Sequence, residues 1–132
     1  MRLVLVRHAE AAPGEPDDLR ELTPDGKQAA RELGGRLAEQ DLKPDVVLTS
    51  PLLRARQTGE ELGRSLAAPV EPDERLAPGA TAESVREAIA GRGAVVVVVC
   101  HQPDCGRVAA ELSGGPEPRF PPAGLVELQL EG

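Results

Sequence analysis

Residues 94–100 read Ala-Val-Val-Val-Val-Val-Cys and run straight into His101. Five consecutive β-branched valines favour extended chain, and a run with no polar position needs cover on both faces. Such a strand belongs at the centre of a parallel sheet with helices above and below it. Residues 3–6 and 45–49 read as further apolar strands, and a weak candidate lies near Val70. Residues 125–130 alternate apolar with polar side chains, as a half-exposed edge strand does.

Helical patterns fill the intervals. Residues 24–40 place Ala30, Leu33, Gly34, Leu37 and Ala38 on one face, with Thr23 as N-cap and Pro24 at the first helical position. Residues 51–66 do the same with Ala55, Gly59, Leu62 and Leu66, behind a Ser50-Pro51 start. Shorter apolar faces occupy residues 81–90 and 103–112, while residues 11–22 and 116–124 read as irregular loops. This alternation predicts an α/β fold: a three-layer α/β/α sandwich with a mostly parallel central sheet, forming one domain over residues 1–132.

Composition narrows the possible functions. The only aromatic residue is Phe120, so the core must be closely packed Leu, Val and Ala. Without stacking aromatics, and with a formal net charge of −7, the chain is a poor nucleic-acid binder. That total does not exclude a small anion. Charges beyond a Debye length of about 8 Å are screened, whereas a close cation–anion pair gains about 4 kcal/mol at an effective dielectric of about 20. No apolar run approaches a membrane span, and no cleavage pattern follows residues 3–6, so a cytoplasmic location without membrane contact is expected. Cys100 and Cys105 flank His101, but the only other histidine is His8, too few ligands for a zinc site. Both thiols are expected to be small buried side chains, and neither a metal nor a cofactor is called for.

Both histidines stand at carboxyl ends of apolar strands: His8 follows Arg7 after the first, and His101 follows the valine run. Ligands of open parallel sheets bind outside that edge. If Ser50 caps the helix after the second strand, Arg54 falls in its first turn, where free N–H groups and the helix dipole favour an anion. Taken singly, these residues have plain structural readings: a strand end meeting water, a satisfied imidazole, a solvated helix arginine. Two histidines and two arginines at one edge suit phosphoryl transfer. The guanidiniums can grip a phosphate bidentately, a neutral imidazole can attack phosphorus in line, and the second imidazole can stabilise the transition state.

The segment Leu-Val-Arg-His-Ala-Glu, residues 5–10, resembles the signature of the histidine phosphatase (phosphoglycerate mutase-like) superfamily, with Ala9 where glycine is usual. Residues 48–58, LTSPLLRARQT, resemble its second arginine motif, and residues 98–103, VVCHQP, its second histidine motif. Residues 19–26, LRELTPDG, resemble a further family segment, and the Arg20-Glu21-Leu22-Thr23 pattern is most similar to the SixA-type phosphohistidine phosphatases. The resemblance implies a phosphoglycerate mutase-like fold, His8 as nucleophile, His101 as second catalytic histidine, and Arg7 and Arg54 as phosphate ligands. Arg20 and Ser50 are expected beside Arg7 and Arg54 among the substrate-binding residues. Larger relatives carry a carboxylic acid after the third strand to protonate an alkoxide. Residues 73–80 have no clear equivalent, Glu74 and Glu83 being the candidates. A missing acid fits a P–N substrate, because a protonated imidazole leaves without enzymatic help.

The expectation is therefore a metal-independent phosphatase that forms a phosphohistidine on His8 and takes phosphate from phosphohistidine on proteins. Two alternatives stand beside it: a general phosphomonoesterase for sugar or nucleotide phosphates, which would need a proton donor, and a non-catalytic phosphate- or phosphoprotein-binding module. The sequence carries no signal for oligomeric state.

Overall fold

A computed structural model describes residues 1–131. The strands are β1 (Arg2–Arg7), β2 (Val46–Thr49), β3 (Val70–Pro72), β4 (Val95–Cys100) and β5 (Leu125–Gln129). The helices are α1 (Pro24–Glu39), α2 (Leu53–Leu66), α3 (Ala82–Ile89) and α4 (Asp104–Ser113). The sheet runs β3-β2-β4-β1-β5, parallel except for β5, which pairs antiparallel with β1. The valine run is its middle strand, and Val96, Val97, Val98 and Val99 are all fully buried.

Alternation along the strands sends side chains into two cores. Leu3, Leu5, Val46, Leu48, Val96 and Val98 pack with Val85, Ile89, Val108 and Ala109 of α3 and α4. Val4, Val6, Val47, Val97 and Val99 face the other way, onto Leu33, Leu37, Ala55 and Leu62 of α1 and α2. Burying one such side chain stabilises the fold by about 1.5–3 kcal/mol, so the two faces together fix the strand register. Helices on both faces make the three layers that the alternation predicted.

Two helix positions bear on the site. Thr23 caps α1, its hydroxyl accepting from Gly26 N at 2.9 Å, and a Cβ at Gly26 would stand 2.1 Å from the Glu10 carbonyl oxygen. That approach pins the start of α1 to the chain just beyond His8. A Cβ at Gly59 would stand 2.4 Å from Thr49 Cγ2, so its absence lets α2 lie against β2. The edge strand β3 is only three residues long, with Val70 half-buried and Glu71 and Pro72 exposed. No described helix is long and apolar enough to cross a membrane.

Candidate active site

Register carries the candidate residues to one edge. Arg7 pairs with Cys100 across β1 and β4, and Thr49 pairs with Val99 across β2 and β4. The ladder continues past each strand, with His8 N donating to Cys100 O and Ser50 N to Val99 O, both at 3.0 Å. His101, the first residue after β4, is therefore flanked by His8 on one side and Ser50 on the other. The two imidazole centroids lie 5.2 Å apart at an interplanar angle of 60°.

His8 Nδ1 lies 2.7 Å from the Ala9 carbonyl oxygen. A carbonyl only accepts, so the proton of the neutral ring sits on Nδ1 and the lone pair on Nε2. Burial lowers the His8 pKa below the ordinary histidine value; the Ala9 contact opposes this, and the charges of Arg54, Arg7 and Arg20 add to the lowering. His101 is 4% exposed, and its pKa is pushed down to about 4 by burial first and then by the charges of His8 and Arg54. Both rings are thus neutral at neutral pH.

Ser50 takes a different position from the expected helix cap. The helix starts at Leu53 with Leu52 in the capping position and no side-chain cap, because Pro51 and Leu52 turn outside it. Ser50 is fully buried, and its Oγ lies 2.7 Å from His101 Nε2 while accepting from Leu52 N at 3.2 Å. The ring supplies an acceptor for the Ser50 proton if Nε2 carries the lone pair, which leaves the His101 proton on Nδ1. That Nδ1 is buried without a hydrogen-bond partner, and so is Nε of Arg7.

The arginines converge from three elements. Arg7, at the end of β1, donates through Nη1 to the Phe120 carbonyl at 2.9 Å. Arg54 remains in the first turn of α2 and is 7% exposed; it donates to the Asp17 carbonyl at 2.8 Å and to Asp17 Oδ2 at 3.2 Å. Arg20 donates to Ala12 O at 2.8 Å and to Asp17 Oδ1 at 3.0 Å. Asp17 therefore bridges two guanidiniums, and Arg20 foremost holds its carboxyl below the ordinary range.

Sequence reasoning missed Asp17 and Thr58. The loop over residues 11–22 is tied by a bridge between Ala11 and Leu22 and holds a short 3-10 turn, Asp17–Leu19, that aims Asp17 at Arg54. Thr58, one helical turn after Arg54, donates its hydroxyl to the Arg54 carbonyl at 2.8 Å and accepts from Ala9 N at 3.0 Å. Helical i, i+4 spacing within the second arginine motif was the available signal for it. The Ala9 methyl packs with Leu22 and Ala30, which accounts for a side chain where glycine is usual. Asp104, within α4 and 6% exposed, turns to the loop after β3, where its Oδ2 accepts from Gly79 N at 2.8 Å. Glu74 and Glu83 are exposed, and among the described residues neither hydrogen-bonds to a site histidine or arginine.

Paired neutral imidazoles among guanidiniums, at the carboxyl edge of a parallel sheet, define a protein that handles phosphoryl groups. Residues 3–78 match the sequence profile of the histidine phosphatase superfamily (branch 1). The chain is 34% identical to phosphohistidine phosphatase SixA of Escherichia coli (strain K12), over 99% of its own length and 86% of that protein. The structure of the protein histidine phosphatase SixA complexed with tungstate matches with a TM-score of 0.91 and 33% identity, covering 99% of this chain and 89% of that one. Mycobacterial glucosyl-3-phosphoglycerate phosphatase shares the fold at 21% identity, with a TM-score of 0.74 over 97% of this chain and 89% of that one. The chain belongs to the histidine phosphatase superfamily, and it is accordingly a hydrolase of the phosphatase type.

Proposed function

We propose that this phosphatase removes phosphate from phosphohistidine on proteins through a phosphoenzyme on His8. The observation that carries the reading is the 2.7 Å contact of His8 Nδ1 with the Ala9 carbonyl, which favours the proton on Nδ1 and supports Nε2, with its free lone pair, as the nucleophile. In the first step Nε2 attacks phosphorus, an Nε2–P bond forms, and the substrate P–N bond breaks. The leaving imidazole departs as the neutral ring after protonation from solvent. Water then attacks the phosphoenzyme, the Nε2–P bond breaks, and inorganic phosphate leaves.

Arg7, Arg20 and Arg54 are assigned to the phosphoryl oxygens, with the unpartnered Arg7 Nε as a buried donor that an oxyanion would satisfy, joined by His101 Nδ1 in the tautomer in which Ser50 donates to Nε2. Ser50 then positions His101 rather than touching substrate, which supports a change from the role expected for it. Three guanidiniums supply the positive charge that phosphoryl transfer needs, so the reading requires no metal. The exposed positions of Glu74 and Glu83 favour a leaving group that needs no enzymatic acid. A SixA named as a phosphohistidine phosphatase, 34% identical over nearly the whole chain, points the same way.

The test is turnover of a histidine-phosphorylated histone and of p-nitrophenyl phosphate, each with and without chelator. Phosphohistidine hydrolysis unchanged by chelator is expected. Hydrolysis of the ester alone would defeat the phosphohistidine reading, and loss of activity with chelator would defeat metal independence.

A further inference from the structure

The segment between α4 and β5 is the part of the site's surroundings that the chemistry leaves unused. Phe120 is 3% exposed and belongs to the same core as Cys100, Cys105 and Val108, while its carbonyl holds Arg7. A Cβ at Gly106 would stand 3.3 Å from Pro118 O and 3.4 Å from Gln102 Oε1, so the segment and the Gln102 side chain both lie close against the start of α4. Gln102, Glu117, Pro118, Arg119, Phe120 and Pro121 line an open groove of about 610 Å³. That is more room than one phosphoryl group fills.

Two of the groove's lining residues adjoin residues of the site. Gln102 directly follows His101, and Phe120 is bonded to Arg7. Its surface is preorganised, because Pro118 and Pro121 restrict the backbone and lower the ordering cost of binding. The same prolines lack N–H groups, so an occupant meets side chains and carbonyls rather than a strand edge. Gln102 Oε1 accepts from Gly106 N at 2.9 Å, and its amide NH₂ has no hydrogen-bond partner among the described residues. Arg119 is exposed and forms no ion pair among them, and it stands next to Phe120, nearer in sequence to the Arg7 contact than Glu117.

We propose that this groove binds the polypeptide flanking the phosphorylated histidine of a protein substrate. Arg119 pairs with an acidic side chain of that flank, and the Gln102 amide donates to one of its carbonyls. The inference rests on the phosphohistidine reading above and extends it from the phosphoryl group to the chain that carries it. Specificity for a protein then comes from contacts outside the catalytic cluster.

The test compares free phosphohistidine with two phosphohistidine peptides, one bearing aspartate and one bearing lysine near the phosphorylated residue. Wild type should show a higher kcat/KM for the aspartate peptide than for free phosphohistidine, expressed mainly in KM. Arg119→Glu should lower kcat/KM for that peptide by roughly two- to five-fold, the scale of an exposed ion pair, and leave free phosphohistidine unchanged. Gln102→Ala should also reduce only peptide turnover. Equal handling of peptide and free phosphohistidine by wild type, or equal effects of Arg119→Glu on both, would overturn the groove. If wild type hydrolysed p-nitrophenyl phosphate but no phosphohistidine substrate, the phosphohistidine reading itself would fall.

Discussion

Replacing Ser50 with alanine removes a single oxygen from the centre of the site, and the structure sets the size of the loss. Ser50 is fully buried, its Oγ lies 2.7 Å from His101 Nε2, and His101 Nδ1 already lacks a partner. Ser50→Ala leaves both nitrogens of a buried ring unsatisfied, at a cost of about 1–3 kcal/mol out of a total stability of about 5–15 kcal/mol. With an unfolding entropy of about 2.1 cal/mol/K per residue over 132 residues, the midpoint should fall by roughly 4–11 °C. Turnover should fall by about 10- to 100-fold, because a ring that can rotate no longer holds its donor in place. Thermal melts and steady-state kinetics measure both effects, and a double-mutant cycle with His101→Ala assigns the second. If Ser50 acts through His101, Ser50→Ala costs no further activity once His101 is gone. An equal loss in both backgrounds would refute the argument and return Ser50 to direct substrate contact.

Three more outcomes are expected. Arg54→Ala should lower kcat/KM by about two to three orders of magnitude, the loss typical of one transition-state donor, and an unchanged rate would remove Arg54 from the site. Thr58→Val should cost about 1–3 kcal/mol in urea unfolding, because Ala9 N and the Arg54 carbonyl lose the hydroxyl between them; Thr58→Ser should recover most of this. The third concerns pH. His101 titrates at 6.5 unfolded and about 4 folded, so the unfolded chain binds more protons as pH falls. Stability is therefore full above the unfolded value and is lost as pH drops toward the folded one, by about 3 kcal/mol in all, with His8 adding in the same direction. The paired carboxylates act only at lower pH, since their ordinary values are 3.8 and 4.5. A urea midpoint independent of pH between neutrality and about pH 5 would contradict the buried neutral histidines.

The fold was legible wherever burial imposed a pattern. The valine run had to be central because no residue in it tolerates water, and β5 had to be an edge because Glu127 and Gln129 alternate with apolar residues. The short strand β3 gave only a weak signal, since two of its three residues are exposed and only Val70 packs against the core. The positions of His8, His101, Arg7 and Arg54 at one sheet edge could be read in advance because each adjoins a strand end or a helix start. Asp17 could not, because its link to Arg54 spans 37 residues and depends on a loop turn with no periodic signature. The Phe120 carbonyl that holds Arg7 is a backbone group, and side-chain identity says nothing of it. Ser50 was misplaced for a different reason: a Ser-Pro pair signals a helix start, but here the helix begins two residues later than that pair implies.

The central claim is that His8 Nε2 takes the phosphoryl group while Nδ1 stays bonded to the Ala9 carbonyl. The most direct measurement traps the phosphoenzyme during turnover, digests it in alkali, and separates the two phosphohistidine isomers. The Nε2 isomer, located on His8 by mass spectrometry and missing from His8→Asn, is the predicted result. An Nδ1 isomer, or phosphate carried by another residue, would contradict the account.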